Sequence, residues 1–280
     1  MTIAQTLPCR PVTVPAAGWL ALHALALWPH GWWAARRVAD GSDDPLGLAA
    51  LALLVVWLAI SRPTLRPTPR LAWLGAAAAI TAMATAALFV APPLVAALLA
   101  ALALWAHLAA WLPDRAPRLA LAGLALLALP LVASLQFYVG YPLRVFTAQF
   151  SAWLLQAAGW AAERSGAALT VGGRLVLVDA PCSGVQLAWL GYFAACAVAA
   201  FTRLRDLALL RRLPLVGLVV LTGNVLRNTV LVALEARPQA LAPVWHEAIG
   251  LAALIVAVGL VIRIVAPRAR VGNATQRGLS

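Results

Sequence analysis

Long apolar runs separated by short polar breaks dominate this chain. A helix needs about 20 apolar residues to cross the bilayer core. Runs of that kind stand at 16–34, 46–60, 71–91, 93–112, 119–137, 183–202, 213–234 and 247–265. The pattern predicts an all-α polytopic membrane protein of about eight transmembrane helices. The second run is the shortest. The stretch 71–113 carries no Asp, Glu, Lys or Arg and is too long for one crossing, and Pro92-Pro93 divides it into a helical hairpin.

One sizeable region, 138–181, does not read as spanning. Within it 145–162 is uncharged but punctuated by Thr147, Gln149, Ser151 and Gln156. Leu143, Phe146, Phe150, Trp153, Leu154 and Ala157 recur at helical spacing. That predicts an amphipathic helix lying in the interface rather than a ninth span. The following "ALTVGGRLVLV" reads as a short β-hairpin around Gly172-Gly173. Together they predict a small extracytoplasmic cap. The expected organisation is a five-span bundle over 1–137, a core of cap plus three spans over 138–266, and a polar tail over 267–280. An apolar run near the N-terminus lacks a small-residue cleavage site, so it reads as a retained span.

Composition supports the membrane reading: 64% of the 280 residues are hydrophobic, mean hydropathy is +0.90, and there are 12 Trp. All 21 basic residues are Arg, and the net charge is +12. With eight spans, fourteen arginines and two acids (Asp114, Asp206) fall on one side, a difference of +12, and seven of each sign on the other. The positive-inside rule makes the basic side cytoplasmic and places both termini there. The arginines lie in short loops rather than on one soluble face, which argues against nucleic acid as a partner.

Three reactive residue types meet at the outer ends of the last three spans. Cys182 opens the sixth in "DAPCSG", Arg227 lies near the outer end of the seventh in "GNVLRNTV", and His246 opens the eighth in "WHEAIG". A thiol at a helix N-terminus is expected to have a lowered pKa, and a nearby cation lowers it further. His can move a proton near neutral pH, and Arg can hold a thiolate or a developing oxyanion. The set suits thioester chemistry on an amide. Each residue also has a plainer reading: packing for Cys182, a counter-ion for Arg227, an interface position for His246. Asp179 could cap the helix, and Glu247 could orient the imidazole. Cys196, Cys9, His23, His30 and His107 have no partner at useful spacing, and no metal or cofactor site is expected.

"YPLR" at 141–144, the amphipathic helix, the hairpin, "APCSG" at 180–184, "NVLRN" at 224–228 and the final His resemble the core of the exosortase/archaeosortase family. The resemblance covers about 137–265. It implies a multipass cysteine transpeptidase of the bacterial inner membrane. Such an enzyme cleaves membrane-anchored proteins near a C-terminal PEP-type sorting signal and passes the new C-terminus to an unidentified acceptor. It implies Cys182 as nucleophile, with Arg227 and His246 as its partners. Around them Ser183, Gly184 and Asn224 belong to the matching motifs, and Asp179, just before "APCSG", is a supporting candidate. Arg144 and Arg174 are candidates for binding an acidic residue of the signal. Two other classes remain: an intramembrane hydrolase or transferase using Ser183, Glu247 or Asp179, and a transporter or assembly scaffold with Arg227 as a counter-charge. No internal repeat supports the transporter.

Overall fold

A computed structural model describes residues 16–237 and 243–267. Cys9, Arg10 and the tail beyond Pro267 lie outside the described residues. The helices in order are α1 (Ala16–Ala26), α2 (Trp28–Ala39), α3 (Leu46–Ser61), α4 (Leu71–Val90), α5 (Pro93–Trp111), α6 (Arg118–Leu127) and α7 (Val132–Ala157). Three strands follow: β1 (Ala162–Ser165), β2 (Ala168–Val171) and β3 (Arg174–Leu177). Then come α8 (Val185–Phe201), α9 (Asp206–Glu235) and α10 (Pro243–Val265).

Five of these helices are long and apolar enough to cross a membrane, or six if the bent pair α6–α7 counts as one, against the eight expected. The differences have local causes. Trp28-Pro29 interrupts the first run, which forms two short helices, α1 and α2. The fifth run does not continue to Phe137. α6 stops at Leu127, and α7 leaves at 94° after a break containing Pro130, which lacks an N–H and disfavours helix in the residue before it. α7 then absorbs both the end of the expected span and the amphipathic helix in 26 residues, running through Pro142. α8, at 17 residues, begins only at Val185. α9 starts earlier than expected and carries Arg211, Arg212 and Pro214 inside its 30 residues.

The described residues fold as two compact units, one of residues 16–33 and 66–111 and one of 34–65, 112–237 and 243–267. In the first, α4 and α5 form the hairpin expected at Pro92-Pro93. Ala77, Ala84, Ala96, Ala100 and Ala103 are buried, the small side chains that let helices approach in a membrane. There His23 stacks on His107 with ring centroids 4.7 Å apart.

The second unit holds α3, α6 to α10 and the sheet. α8 packs between α6 and α9. A Cβ at Gly123 on α6 would run into the Cys196 sulfur, which marks Cys196 as a packing residue of α8. The sheet is an antiparallel meander, β1-β2-β3, not a lone hairpin. The expected β2–β3 pair turns at Gly172-Gly173 with Val171 opposite Arg174. β1 adds a strand because the chain reverses at Gly166, where φ is +60°. Val171, Leu169 and Val176 pack against Ala148, Ala152 and Leu155 of α7.

α7 is amphipathic, and its polar side faces the protein. Phe137, Tyr138, Trp153 and Leu154 are exposed, while Thr147 and Ser151 are buried. The Ser151 hydroxyl receives Asn228 Nδ2 at 2.9 Å, joining α7 to α9. The start of α7 has no side-chain cap of its own. Asp43 supplies one, accepting the Ala133 N–H at 3.1 Å while it pairs with Arg37 at 3.2 Å.

Candidate active site

The segment leading into α8 is a 3-10 turn, Ala180–Ser183, that carries Cys182. Pro181 suits its first turn, and the Cys182 N–H donates to the Asp179 carbonyl at 2.9 Å. The turn ends on Gly184 at φ +86°, the left-handed region that favours glycine. Against that glycine lies Asn224 of α9, with Cγ 2.8 Å from where a Cβ would stand. Its Nδ2 donates to the Cys182 carbonyl and to the Thr147 hydroxyl, each at 3.0 Å. On the other flank, Ser183 Oγ donates to Gln136 Oε1 at 3.0 Å, and Gln136 Nε2 donates to the Ala180 carbonyl at 2.9 Å. The turn bearing the thiol is therefore clamped from both α7 and α9.

These contacts make Gly184→Ala a test of the clamp. The left-handed backbone costs a residue with a Cβ about 1–2 kcal/mol, and the methyl would displace Asn224. Thermal unfolding in detergent is expected to fall, with loss of Cys182-dependent activity beyond what stability explains.

Arg227 lies one turn after Asn224 on α9. Its Nη1 approaches the Pro181 carbonyl at 3.4 Å. It runs over Gly250 of α10, where a Cβ would be 3.3 Å from Nε and Nη2. His246, near the start of α10, pairs through Nδ1 with Glu235 Oε1 at 3.5 Å, both side chains being partly exposed. Pro181, Gly184, Asn224, Arg227, His246 and Glu247 share the wall of an open cavity of about 500 Å³. Cys182 sits just behind Pro181, 7% exposed. Burial pushes its thiol up, Arg227 pulls it down, and Asp179 and Glu235 push it further up. The lowering expected of a helix N-terminus is not seen: α8 begins three residues later, and burial outweighs the guanidinium.

The residues picked from sequence divide accordingly. Cys182, Ser183, Gly184, Asn224, Arg227 and His246 come together at one end of α8. Asp179 stands at the N-cap of the turn but makes no side-chain capping bond. The Ser183 hydroxyl is committed to Gln136 and accepts the Val185 N–H at 3.3 Å, with no histidine in contact, which weakens it as a nucleophile. Arg174 donates to the Arg237 carbonyl at 2.6 Å, and Arg144 lies over the Tyr141 ring at 5.7 Å. Neither lines the cavity. Glu247 lines it, but the partner of His246 is Glu235. Sequence reading missed Glu235, Gln136 and Thr147. Only Gln136 and Thr147 had a visible signal, as polar positions on one face of an otherwise apolar helix. Among the described residues no group of three or more His, Cys, Asp or Glu could hold a metal ion.

A family model described as transmembrane exosortase matches residues 32–263, which include every residue of the cavity wall. No curated protein and no solved structure matches the chain.

Proposed function

The chain belongs to the transmembrane exosortase family, and from that premise we propose that it is a membrane-embedded cysteine transpeptidase. It would act on proteins held in the same bilayer by a C-terminal helix with a PEP-type sorting signal. The observation that carries this reading is the shared cavity: Arg227 and His246 line it, and Arg227 contacts the carbonyl adjoining Cys182.

In the proposed reaction the Cys182 thiolate attacks the scissile carbonyl, and Arg227 balances the charge on the oxyanion. As the C–N bond breaks, protonated His246 gives its proton to the leaving amine, and a thioester remains. Neutral His246 then takes a proton from the acceptor, which attacks the thioester and returns the thiolate. With water as acceptor the outcome is hydrolysis. Asn224 lines the cavity, and its Oδ1 is buried with no hydrogen-bond partner among the described residues.

An apolar groove of about 570 Å³ between α9 and α10 supports a membrane-anchored substrate. It runs from Leu218 and Leu260 to Arg227 and shares Arg227 and Ala253 with the cavity. The segregation of Arg115, Arg203, Arg205 and Arg212 at the opposite end of α8 and α9 supports a cytoplasmic position for that end, so the cavity would face the periplasm. In this reading the chain divides at 137/138 and crosses the bilayer eight times, with α1–α2, the bent α6–α7 pair and α8 each serving as a span beside the five long helices. Arg144 and Arg174 are outer positions for the acidic residue of the signal.

Glu235 is assigned to holding the imidazole. Glu235→Gln is expected to lower kcat about two- to fivefold, the worth of a partly exposed pair, with little change in KM. A rise in KM alone would assign Glu235 to substrate binding instead. The reading as a whole is tested by co-expressing the chain with a reporter ending in a PEP-type signal and weighing the reporter. Shortening that requires the chain supports it, and the mass left on the new C-terminus identifies the acceptor. A full-length reporter with every signal-bearing substrate encoded beside the chain would overturn it.

A further inference from the structure

At the other end of α8, three connections of the second unit surround a hollow of about 830 Å³. Trp57 and Thr64 close one side, the loop before α6 brings Asp114 and Arg115, and the α8–α9 connection brings Arg203, Arg205 and Asp206. Trp57 is buried and donates its indole N–H to the Ala200 carbonyl at 3.0 Å, so that wall is fixed. Both carboxylates are already engaged: Asp206 accepts the Leu119 N–H at 2.9 Å, and Asp114 has a partner of its own. Arg115, Arg203 and Arg205 are exposed, and no hydrogen bond or ion pair holds their guanidinium groups among the described residues.

The Arg203 N–H and that of Leu204 close the end of α8 on Ala200 and Ala199, at 3.3 and 2.9 Å, in the pattern that normally ends on a left-handed glycine. Arg203 takes that conformation at φ 51°, alone among non-glycine residues described. A residue with a Cβ is disfavoured there, so glycine would suit the backbone better. The N-terminus of α6 opens here too, but Asp206 of α9 already caps it through the Leu119 N–H. Three exposed guanidinium forks around one hollow suit a phosphate group.

We propose that this hollow binds a phosphate ester, supplied by the headgroup of an anionic phospholipid at the basic face of the bilayer. A basic pocket between spans at that depth is the setting in which anionic headgroups are held. The site is independent of the peptidase chemistry and needs none of its residues.

The test uses the full chain in phosphatidylcholine nanodiscs doped with phosphatidylglycerol, with lipid retention read by native mass spectrometry. Each arginine contributes roughly fivefold to anionic-lipid affinity. Arg115→Gln, Arg203→Gly and Arg205→Gln together are expected to weaken retention on the order of a hundredfold. Arg203→Gly alone should weaken it about fivefold while leaving the melting temperature unchanged or higher, because glycine suits the backbone there. That variant separates lost binding from lost folding. Retention by the wild type that glycerol 3-phosphate does not compete supports the lipid source. Retention that it does compete supports the phosphate site and assigns it to a soluble ester. Equal retention by wild type and both variants, or none by the wild type, overturns the proposal.

Discussion

Cys182→Ala is expected to abolish shortening of a membrane-anchored reporter while the protein still folds. Removing a nucleophile costs at least about a thousandfold in rate. The side chain itself is small, and trimming it inside the cluster of Ala148, Leu155, Val178 and Val232 should cost only about 1 kcal/mol of stability. Gln136 and Asn224 hold the turn through the Ala180 and Cys182 carbonyls, which the substitution leaves in place. Reporter mass and detergent melting curves on the same preparation separate the two quantities. Equal processing by wild type and Cys182→Ala, at equal expression, would reduce Cys182 to packing. It would return attention to Ser183 or to a scaffold.

Arg227→Gln is expected to produce the second largest loss, about a hundred- to a thousandfold, the effect of removing one preorganised oxyanion donor. It should also move the pH dependence. Burial already pushes the Cys182 thiol up, and Arg227 is the group opposing it. Without the guanidinium the thiol titrates at higher pH still, so the rising limb of the pH–rate curve should shift towards alkali. Stability moves the other way. A thiol pushed up in the folded state favours folding while it is protonated and loses that contribution as pH rises through its titration. Activity should therefore increase over the window in which stability declines. Arg227→Lys is not expected to restore the rate, since a single ammonium cannot reach both the Pro181 carbonyl and the reacting group. A variant with normal rate and an unshifted profile would make Arg227 a structural counter-charge.

The α4–α5 hairpin was legible because two adjacent prolines interrupt an uncharged run. The β2–β3 turn was legible because glycines can take the positive φ that 172 and 173 require. The bend between α6 and α7 was not, because apolar residues continue on both sides of Pro130 and hydropathy does not register direction. For α7, periodicity revealed two faces but not which one the protein would bury. Thr147 and Ser151 turned inward because Asn224 and Asn228 on α9 offered hydrogen bonds there. At the site, Cys182, Arg227 and His246 could be picked as reactive types arriving at one depth. Glu235 could not, since it closes a different helix from the one His246 opens and meets it only through the fold. The direction of the thiol shift depended on burial by residues from α7, α9 and the sheet, which no local pattern encodes.

The central claim, a thioester on Cys182, is tested most directly by trapping it. The reporter would be processed in membranes containing hydroxylamine, and the mass of its new C-terminus determined. A thioester intermediate predicts a hydroxamate at that C-terminus, formed with wild type and absent with Cys182→Ala. A free acid that persists unchanged in hydroxylamine, with no hydroxamate at any concentration, would contradict it and point to direct attack by water.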